Sequence, residues 1–235
     1  QEQICDKEDI NVISILDNVP MGKYKVLPLD KSLDIPIIHS TGWSVEEGEY
    51  RWDGLKRPDV GCLFQFTISG KGILKYRDKK YTIEPGYGFF VTIPGEHIYY
   101  LTKDCNWETI YVKLSGKEAY NHWEALTNKV TEPVIKIPKN HKLIYTILDI
   151  YKSAAQNEII NQYQTSKMAY NIIVDLYRII EEPILINKSE SLSKSVIKYF
   201  KNYYHTGINV SDAANYLKVS REHLSRTFKN EMKQT

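Results

Sequence analysis

The sequence has few cysteines and no long apolar run. Its 235 residues include only three cysteines, Cys5, Cys62 and Cys105, with neither a C-x-x-C pair nor the spacing of a zinc site. A sparse, odd set indicates a reducing compartment, so we expect a cytoplasmic protein rather than a disulfide scaffold. No apolar run approaches the roughly 20 residues of a membrane helix. Charged residues from Glu2 to Asp9 interrupt any apolar secretory segment, so we expect neither a membrane span nor a signal peptide.

Motifs of catalysis and of phosphate binding are also missing. The chain has no Gly-x-Ser-x-Gly elbow, no Gly-x-Gly-x-x-Gly run and no P-loop. A metal-holding His-x-His pair is absent as well, since no histidine lies between His39 and His97. We therefore expect no catalytic residues, no metal and no cofactor, and we predict that the protein is not an enzyme.

Composition and charge indicate a folded protein with a basic end. Hydrophobic residues make up 42% and charged residues 26%, which is ordinary for a globular chain and excludes wholesale disorder. The net charge is +2, but residues 188–235 alone carry nine Lys and Arg against four Asp and Glu. A basic segment on a slightly acidic body indicates an end that faces nucleic acid.

The first half of the chain has the pattern of an antiparallel β structure. Short runs of β-branched and aromatic residues, punctuated by Gly and Pro, recur every 8–12 residues up to about residue 115. Hairpin turns are expected at 69–72 and 77–80, and another turn at 84–86. The rhythm predicts a small sandwich or barrel over residues 20–115.

Residues 116–182 switch to helical periodicity and predict a helix pair. One helix carries an apolar stripe of Ile144, Ile147, Leu148 and Tyr151. The other carries Met168, Ile172, Ile173, Leu176, Ile179 and Ile180, and Pro183 ends it. These stripes either pack within the chain or leave part of their surface for a second copy. We expect a homodimer through residues 140–182.

The last segment predicts three short helices after a linker at 184–193. Asn209 or Ser211 can cap the second helix, 212–217, and Ser220 can cap the third, which continues through Lys229. Leu224 and Phe228 are spaced to face inward on the third helix. Five polar or charged residues face outward, namely Arg221, Glu222, Ser225, Arg226 and Lys229. The pattern is typical of a DNA-reading helix-turn-helix, and the alternative is a helical cap whose charges are simply solvated.

Ser220–Lys229, preceded by Val210–Leu217, resembles the first helix-turn-helix of AraC/XylS-type transcription regulators, which has a capping Ser, then Leu-Ser-Arg and a Phe-Lys pair. The resemblance implies base and phosphate contacts by the outward-facing residues, of which Arg221, Ser225 and Arg226 match best. Members of this family carry a second helix-turn-helix, which this sequence lacks. We therefore expect a fragment of a longer regulator that binds DNA weakly.

The β half resembles the sensor domain of sugar-responsive members of the same family. The shared features, in order, are Arg57-Pro58, 66–72, Glu84–Gly86, Ile93–Glu96 and Ala119-Tyr120. The resemblance implies a cupin-like jelly roll followed by a two-helix dimerisation unit. It also implies an effector pocket lined by Arg57, Tyr99, Tyr100, Thr109 and Tyr111. We expect His97 to be either a hydrogen-bonded residue at a strand end or a further ligand contact. Trp43, Trp52 and Trp107 are further candidates, because aromatic faces pack on sugar rings.

The fold class is therefore α+β, with a sensing and dimerisation domain at 1–183 and a truncated DNA-binding domain at 194–235. The predicted function is a DNA-binding regulator that senses a small molecule, with a carbohydrate as the expected effector. Two alternatives stay open: a cupin-type sugar-binding or isomerising protein with a packed helical tail, and a ligand-independent regulator whose β domain only dimerises.

Overall fold

Runs of β-branched and aromatic residues form strands through the first half of the chain. The computed structural model describes residues 16, 19–26, 34–102, 105–137, 141–159, 161–181, 192–203, 208–217 and 219–232. Within those ranges the strands are β1 (Gly22–Lys25), β2 (Ile37–Glu47), β3 (Arg51–Asp53), β4 (Gly61–Gly70), β5 (Gly72–Tyr76), β6 (Lys79–Ile83), β7 (Tyr87–Ile93), β8 (His97–Tyr100), β9 (Asn106–Ser115) and β10 (Val134–Lys136). The chain divides into two units, Gln1–Ile180 and Glu181–Thr235.

The strands of the first unit form two antiparallel sheets that face each other. The larger sheet has the order β1-β2-β9-β4-β7-β10, and the smaller has the order β3-β8-β5-β6. Side chains from both sheets meet in one buried cluster, for example Phe89 and Trp107 from the larger sheet with Leu74 and Tyr99 from the smaller. The predicted sandwich is thus confirmed.

Side chains along β9 point alternately to the two faces of the larger sheet, and each face packs in a different core. Ile110, Val112 and Leu114 are fully buried on one face, where they join the cluster that contains the helices. Trp107 belongs to the cluster between the sheets, so Thr109, Tyr111 and Lys113 share its face. Both faces of this sheet are therefore covered.

Three helices cover the outer face of the larger sheet in the described part of the first unit, whereas the sequence predicts two. They are α1 (Lys117–Lys129), α2 (Lys142–Ala155) and α3 (Gln162–Glu181). The two predicted apolar stripes lie on α2 and α3, and their central residues, including Ile147 and Ile172, are fully buried. Between α1 and α2 the chain returns to the larger sheet as β10, where Val134 pairs with Phe89. A three-residue strand is too short to show a period, so the sequence did not reveal it.

The turn at 69–72 is not the hairpin that the sequence predicts. It carries the chain from β4 in the larger sheet to β5 in the smaller sheet. Gly70 has φ +69°, and a Cβ on Gly72 would lie 2.2 Å from the Trp107 ring. The two glycines are needed because the chain passes closely over the end of β9 there. The turn at 77–78 does close a hairpin, in which Tyr76 pairs with Lys79.

The second unit contains α4 (Leu192–Tyr203), α5 (Val210–Tyr216) and α6 (Arg221–Met232). Asn209 caps α5, and its side chain accepts hydrogen bonds from the backbone N–H groups of Ser211 and Asp212. Asp212 bonds back to the Asn209 N–H, which completes a capping box. The helix therefore starts two residues before the predicted 212. Ser220 Oγ accepts from the His223 N–H at the start of α6, as expected.

The predicted linker 184–193 lies outside the described residues except for its last two positions, which begin α4. The domain boundaries at 183 and 194 stay a prediction. No helix within the described ranges has both the length and the apolar character that crossing a bilayer requires.

Candidate functional site

Polar side chains concentrate between the two sheets, close to the loop that joins β3 to β4. Arg57 in this loop holds Asp59 with two parallel hydrogen bonds, Nε–Oδ1 at 2.8 Å and Nη2–Oδ2 at 2.7 Å. Lys113 Nζ, from near the C-terminal end of β9, contacts the same Oδ2 atom. We call Arg57, Asp59 and Lys113 the ion cluster. Arg57 also donates from Nη1 to the Tyr99 hydroxyl at 2.6 Å, which ties the cluster to β8.

Arg57 and Asp59 both keep their charge at neutral pH. Burial alone would raise the pKa of Asp59, but hydrogen bonds from Arg57 and Lys113 outweigh it and hold that pKa well below its usual range. Burial opposes the charge on Arg57 too, yet its hydrogen bond to Asp59 leaves the Arg57 pKa raised. Asp59 is therefore an ionised carboxylate held between Arg57 and Lys113.

Three tyrosines lie next to the ion cluster. Burial, as the largest cause, raises the pKa values of Tyr50, Tyr99 and Tyr111, so each hydroxyl stays protonated and can donate. Tyr111 also hydrogen-bonds Ser40, and its ring passes over Gly42, where a Cβ would lie 2.4 Å from the ring. Gly42 thus provides the space in which the Tyr111 ring lies.

Aromatic rings form the apolar part of the same interior. Trp107 is fully buried and donates from Nε1 to Thr67 Oγ1 at 2.9 Å. Tyr50 packs edge-on against the Trp107 ring with centroids 6.0 Å apart. The guanidinium of Arg57 lies 4.6 Å from the centroid of the half-buried Trp52 ring. The interior therefore combines rings, neutral hydroxyls and charges, which suits a polar organic molecule.

The structure brings four of the predicted effector residues together. Arg57 and Tyr99 are hydrogen-bonded, while Thr109 and Tyr111 lie two residues apart on the inner face of β9. Tyr100 does not join them. It follows Tyr99 in β8 and therefore points to the opposite face, where the Arg51 guanidinium lies 5.6 Å from its ring. Adjacent strand residues cannot both line the interior.

His97 lies at the start of β8 and is 3% exposed. Its ring is nearly parallel to that of Tyr99, with centroids 6.1 Å apart, and its Nε2 has no partner among the described residues. Burial, reinforced by the charge of Arg57 and opposed by that of Asp53, lowers the pKa of His97 to about 4. His97 is therefore neutral at physiological pH.

Of the tryptophans proposed for the site, Trp52 and Trp107 face the interior and Trp43 does not. The Trp43 ring packs edge-on against Tyr151 of α2, and its Nε1 donates to Glu108 Oε1 at 2.9 Å. This places Trp43 on the helix-covered side of the sheet.

Sequence reasoning missed Asp59, Lys113, Tyr50 and Gln65. Gln65 is 2% exposed between Tyr111 and Phe89 in the larger sheet, and its Nε2 has no partner among the described residues. A signal for Lys113 was available, because a lysine between Val112 and Leu114 interrupts a strongly apolar strand. Asp59 gave no such signal, since a loop aspartate is ordinarily solvated.

The five predicted DNA-contacting residues all lie on α6 and are exposed: Arg221, Glu222, Ser225, Arg226 and Lys229. Leu224, on the opposite side of the helix, is 2% exposed and packs with Val196, Ala214 and Leu217. The second unit therefore buries one face of α6 and presents a polar, largely basic face to solvent.

A family model described as the AraC-like ligand-binding domain matches residues 46–173, more than half of the chain. No curated protein matches the sequence. Among solved structures, the AraC-like transcriptional activator CuxR is 12% identical, with 84% of this chain and 72% of that chain covered and a TM-score of 0.44. Unsaturated fatty acid-bound ToxT from Vibrio cholerae is 11% identical. The match covers 80% of this chain and 72% of the ToxT chain, with a TM-score of 0.42.

A smaller match is the Cupin_2 domain of an XRE family transcriptional regulator from Enterobacter cloacae. It is 15% identical and covers 40% of this chain and 94% of that chain, with a TM-score of 0.29. Since these structural likenesses are distant, the family relationship rests on the sequence model.

His97 makes the stability of the first unit depend on pH. Its folded-state pKa lies below the unfolded value of about 6.5, so the unfolded chain binds more protons between these values. Stability should therefore fall as pH drops from about 6.5 to 4, by about 2–3 kcal/mol from this group. His97→Gln should flatten that slope in urea unfolding followed by tryptophan fluorescence, because all four tryptophans lie within residues 43–123.

His223→Gln is the control, since His223 is exposed and lies in the second unit. Some slope should remain in His97→Gln, because burial, aided by Arg178 and Lys142, lowers the pKa of His141 to about 4 as well. A wild-type slope in His97→Gln would show that His97 does not resist protonation.

Proposed function

Because the chain belongs to the family of AraC-like ligand-binding domains, we propose that it is a transcription regulator whose first unit senses a small molecule and whose second unit contacts DNA. The observation that carries the proposal is the polar interior around Arg57, Tyr99 and Tyr111, since a sandwich built only for packing needs no charge there. We expect a cytoplasmic protein that catalyses no reaction and needs no cofactor.

A carbohydrate or a related compound is the effector class that we propose. Sugars need aromatic faces for their C–H surfaces and polar groups for their hydroxyls. Trp52 and Tyr50 supply half-buried rings beside the ion cluster, and the neutral hydroxyls of Tyr99 and Tyr111 supply polar groups. The half-burial of Tyr111, on a face that otherwise points between the sheets, supports access to this interior.

Thermal unfolding against pentoses, hexoses, uronic acids and oligosaccharides tests this proposal. An effector at 100 times its dissociation constant should stabilise the first unit by about 2.7 kcal/mol, detected by tryptophan fluorescence. Tyr111→Phe should weaken binding about tenfold, because a buried hydrogen bond is lost. Tyr100→Phe, which removes the same atom from the outer face, should bind as the wild type does.

Equal losses in Tyr111→Phe and Tyr100→Phe would place the effector elsewhere. If no carbohydrate shifts the transition, carbohydrate sensing is wrong, and a ligand-independent regulator becomes the better description.

For DNA, we propose contacts through the exposed face of α6. Arg221 and Arg226 can hydrogen-bond phosphates or guanine edges, Ser225 can contact either, and Lys229 adds charge to the last turn. Glu222 lies in the first helical turn, where a carboxylate can accept only from a cytosine amino group. The short α5 followed by α6 supports a helix-turn-helix, with α6 as the reading helix.

Binding to a fluorescein-labelled 30-bp duplex, measured by anisotropy as a function of NaCl, tests this face. The triple variant Arg221→Ala/Arg226→Ala/Lys229→Ala should bind more weakly, with a salt slope reduced by up to about 3. The control is Lys56→Ala/Lys75→Ala/Lys80→Ala, which removes three exposed cations from the first unit. Equal weakening in both variants would contradict a specific role for α6.

We also propose a homodimer through residues 140–182. The apolar stripes of α2 and α3 pack in the core of the first unit, so a second copy must contact another face of these helices. On α3, Tyr163 is 69% exposed and Val174 is 53% exposed, and both lie close to the helical stripe that continues through Tyr170 and Tyr177. This surface is our proposed dimer contact.

Tyr163→Lys/Val174→Lys should therefore shift a wild-type dimer to monomer in sedimentation equilibrium, because two charges would be buried on association. Val45→Lys/Leu55→Lys serves as the control, since both residues are exposed but lie outside 140–182. A wild-type protein that is monomeric at 100 μM would contradict the proposal.

A further inference from the structure

The ion cluster already holds a carboxylate that the chain itself supplies. Arg57 grips Asp59 with both of its parallel N–H groups, the geometry with which arginine recognises any carboxylate. Lys113, on β9 of the larger sheet, contacts the same Oδ2 atom. The cluster is thus a formed carboxylate site, with Asp59 as its occupant.

The occupant is held less firmly than the cations. Lys113 lies within β9, near its C-terminal end, with its side chain 5% exposed. Arg57 contacts the Trp52 ring and the Tyr99 hydroxyl, and its side chain is 13% exposed. Asp59 comes from the same loop as Arg57, between β3 and β4, but its side chain is more exposed, at 29%. Asp59 can therefore leave without disturbing a strand, while the two cations stay in place.

An unpartnered buried amide nearby points to a missing oxygen ligand. The Gln65 side chain lies opposite Tyr111 in the β4–β9 register, and its Nε2 has no partner among the described residues. A buried N–H group without an acceptor costs about 1–3 kcal/mol. A bound molecule with oxygen atoms would satisfy this group together with the Tyr111 hydroxyl.

We propose that Asp59 holds the place of an effector carboxylate, so that the effector is a small oxygen-rich organic acid whose carboxylate displaces Asp59 from Arg57 and Lys113. The inference rests on the proposed function, and it narrows the effector class from carbohydrates in general to acidic compounds such as uronic acids. Exchange of one carboxylate for another keeps both buried cations paired. A neutral sugar cannot make this exchange, so the site discriminates by charge.

Chemical rescue of Asp59→Asn tests the displacement directly. Removal of the carboxylate takes the anion away from Arg57 and Lys113, and acetate is small enough to replace it. At pH 7, 100 mM sodium acetate should raise the Tm of Asp59→Asn by about 2–4 °C relative to 100 mM sodium chloride. Acetamide, the neutral isostere, should give no rise, and Asp59→Asn/Lys113→Gln should lose the response to acetate.

The matched control is Asp53→Asn, which removes a nearby carboxylate whose partner is the exposed Lys56, and it should show no acetate-specific rise. Equal Tm values of Asp59→Asn in acetate and chloride would overturn the inference. If Asp59→Asn does not fold, Asp59→Ser replaces it. If neither folds, refolding in acetate but not in chloride supports the inference, and refolding in neither overturns it.

Wild-type protein with D-glucuronate and D-glucose then separates this inference from the proposed function. One outcome is that glucose raises the Tm of the wild type but not of Tyr111→Phe, while acetate does not raise the Tm of Asp59→Asn. This outcome would support carbohydrate sensing and overturn the proposal of an acidic effector. Acetate rescue without a shift from any carbohydrate would support the carboxylate site and count against carbohydrate sensing.

Discussion

The six-stranded sheet is covered on both faces, and this constraint decides where every other part of the first unit lies. Alternate residues of β4 and β9 belong to different cores, one beneath the helices and one between the sheets. A polar residue towards the Ser115 end of β9 is therefore buried on either face, and a charged residue there needs a partner. Lys113 meets this need through Asp59, a residue 54 positions away in the chain.

The electrostatics of the interior follow from that constraint. Charges inside a sandwich persist only where hydrogen bonds outweigh the cost of desolvation. The bidentate contact from Arg57, together with Lys113, does this for Asp59 and keeps its pKa low. Burial has the opposite result for the neighbouring tyrosine hydroxyls and for His97. It raises the pKa of Tyr99 and lowers the pKa of His97, so both side chains stay neutral. The interior thus contains fixed charges among neutral hydrogen-bonding groups, an arrangement with more chemical selectivity than an apolar core.

The helices of the second unit depend on local interactions more than the sheets of the first unit do. The Asn209–Asp212 capping box and the Ser220 cap define where α5 and α6 begin, and each involves residues no more than three apart. Small residues at Ala213 and Ala214 are buried where the helices pack, and Leu224 completes the same core. The exposed face of α6 is what remains after these positions are assigned, so its composition could be read from helical periodicity.

Local patterns in the sequence determined the β sandwich, the stripes of α2 and α3 and the caps of α5 and α6, because each depends on periods or contacts within a few residues. Only the tertiary structure decided which sheet a strand joins, so the crossing at 69–72 and the return of β10 were not predictable. Tyr100, which the resemblance placed in the effector pocket, points to the outer face, since a one-residue shift along a strand reverses a side chain. The ion cluster and Gln65 depend on loop placement and strand register, which bring together residues distant in the chain. No periodicity records such pairings, because they are established only when the two sheets pack together.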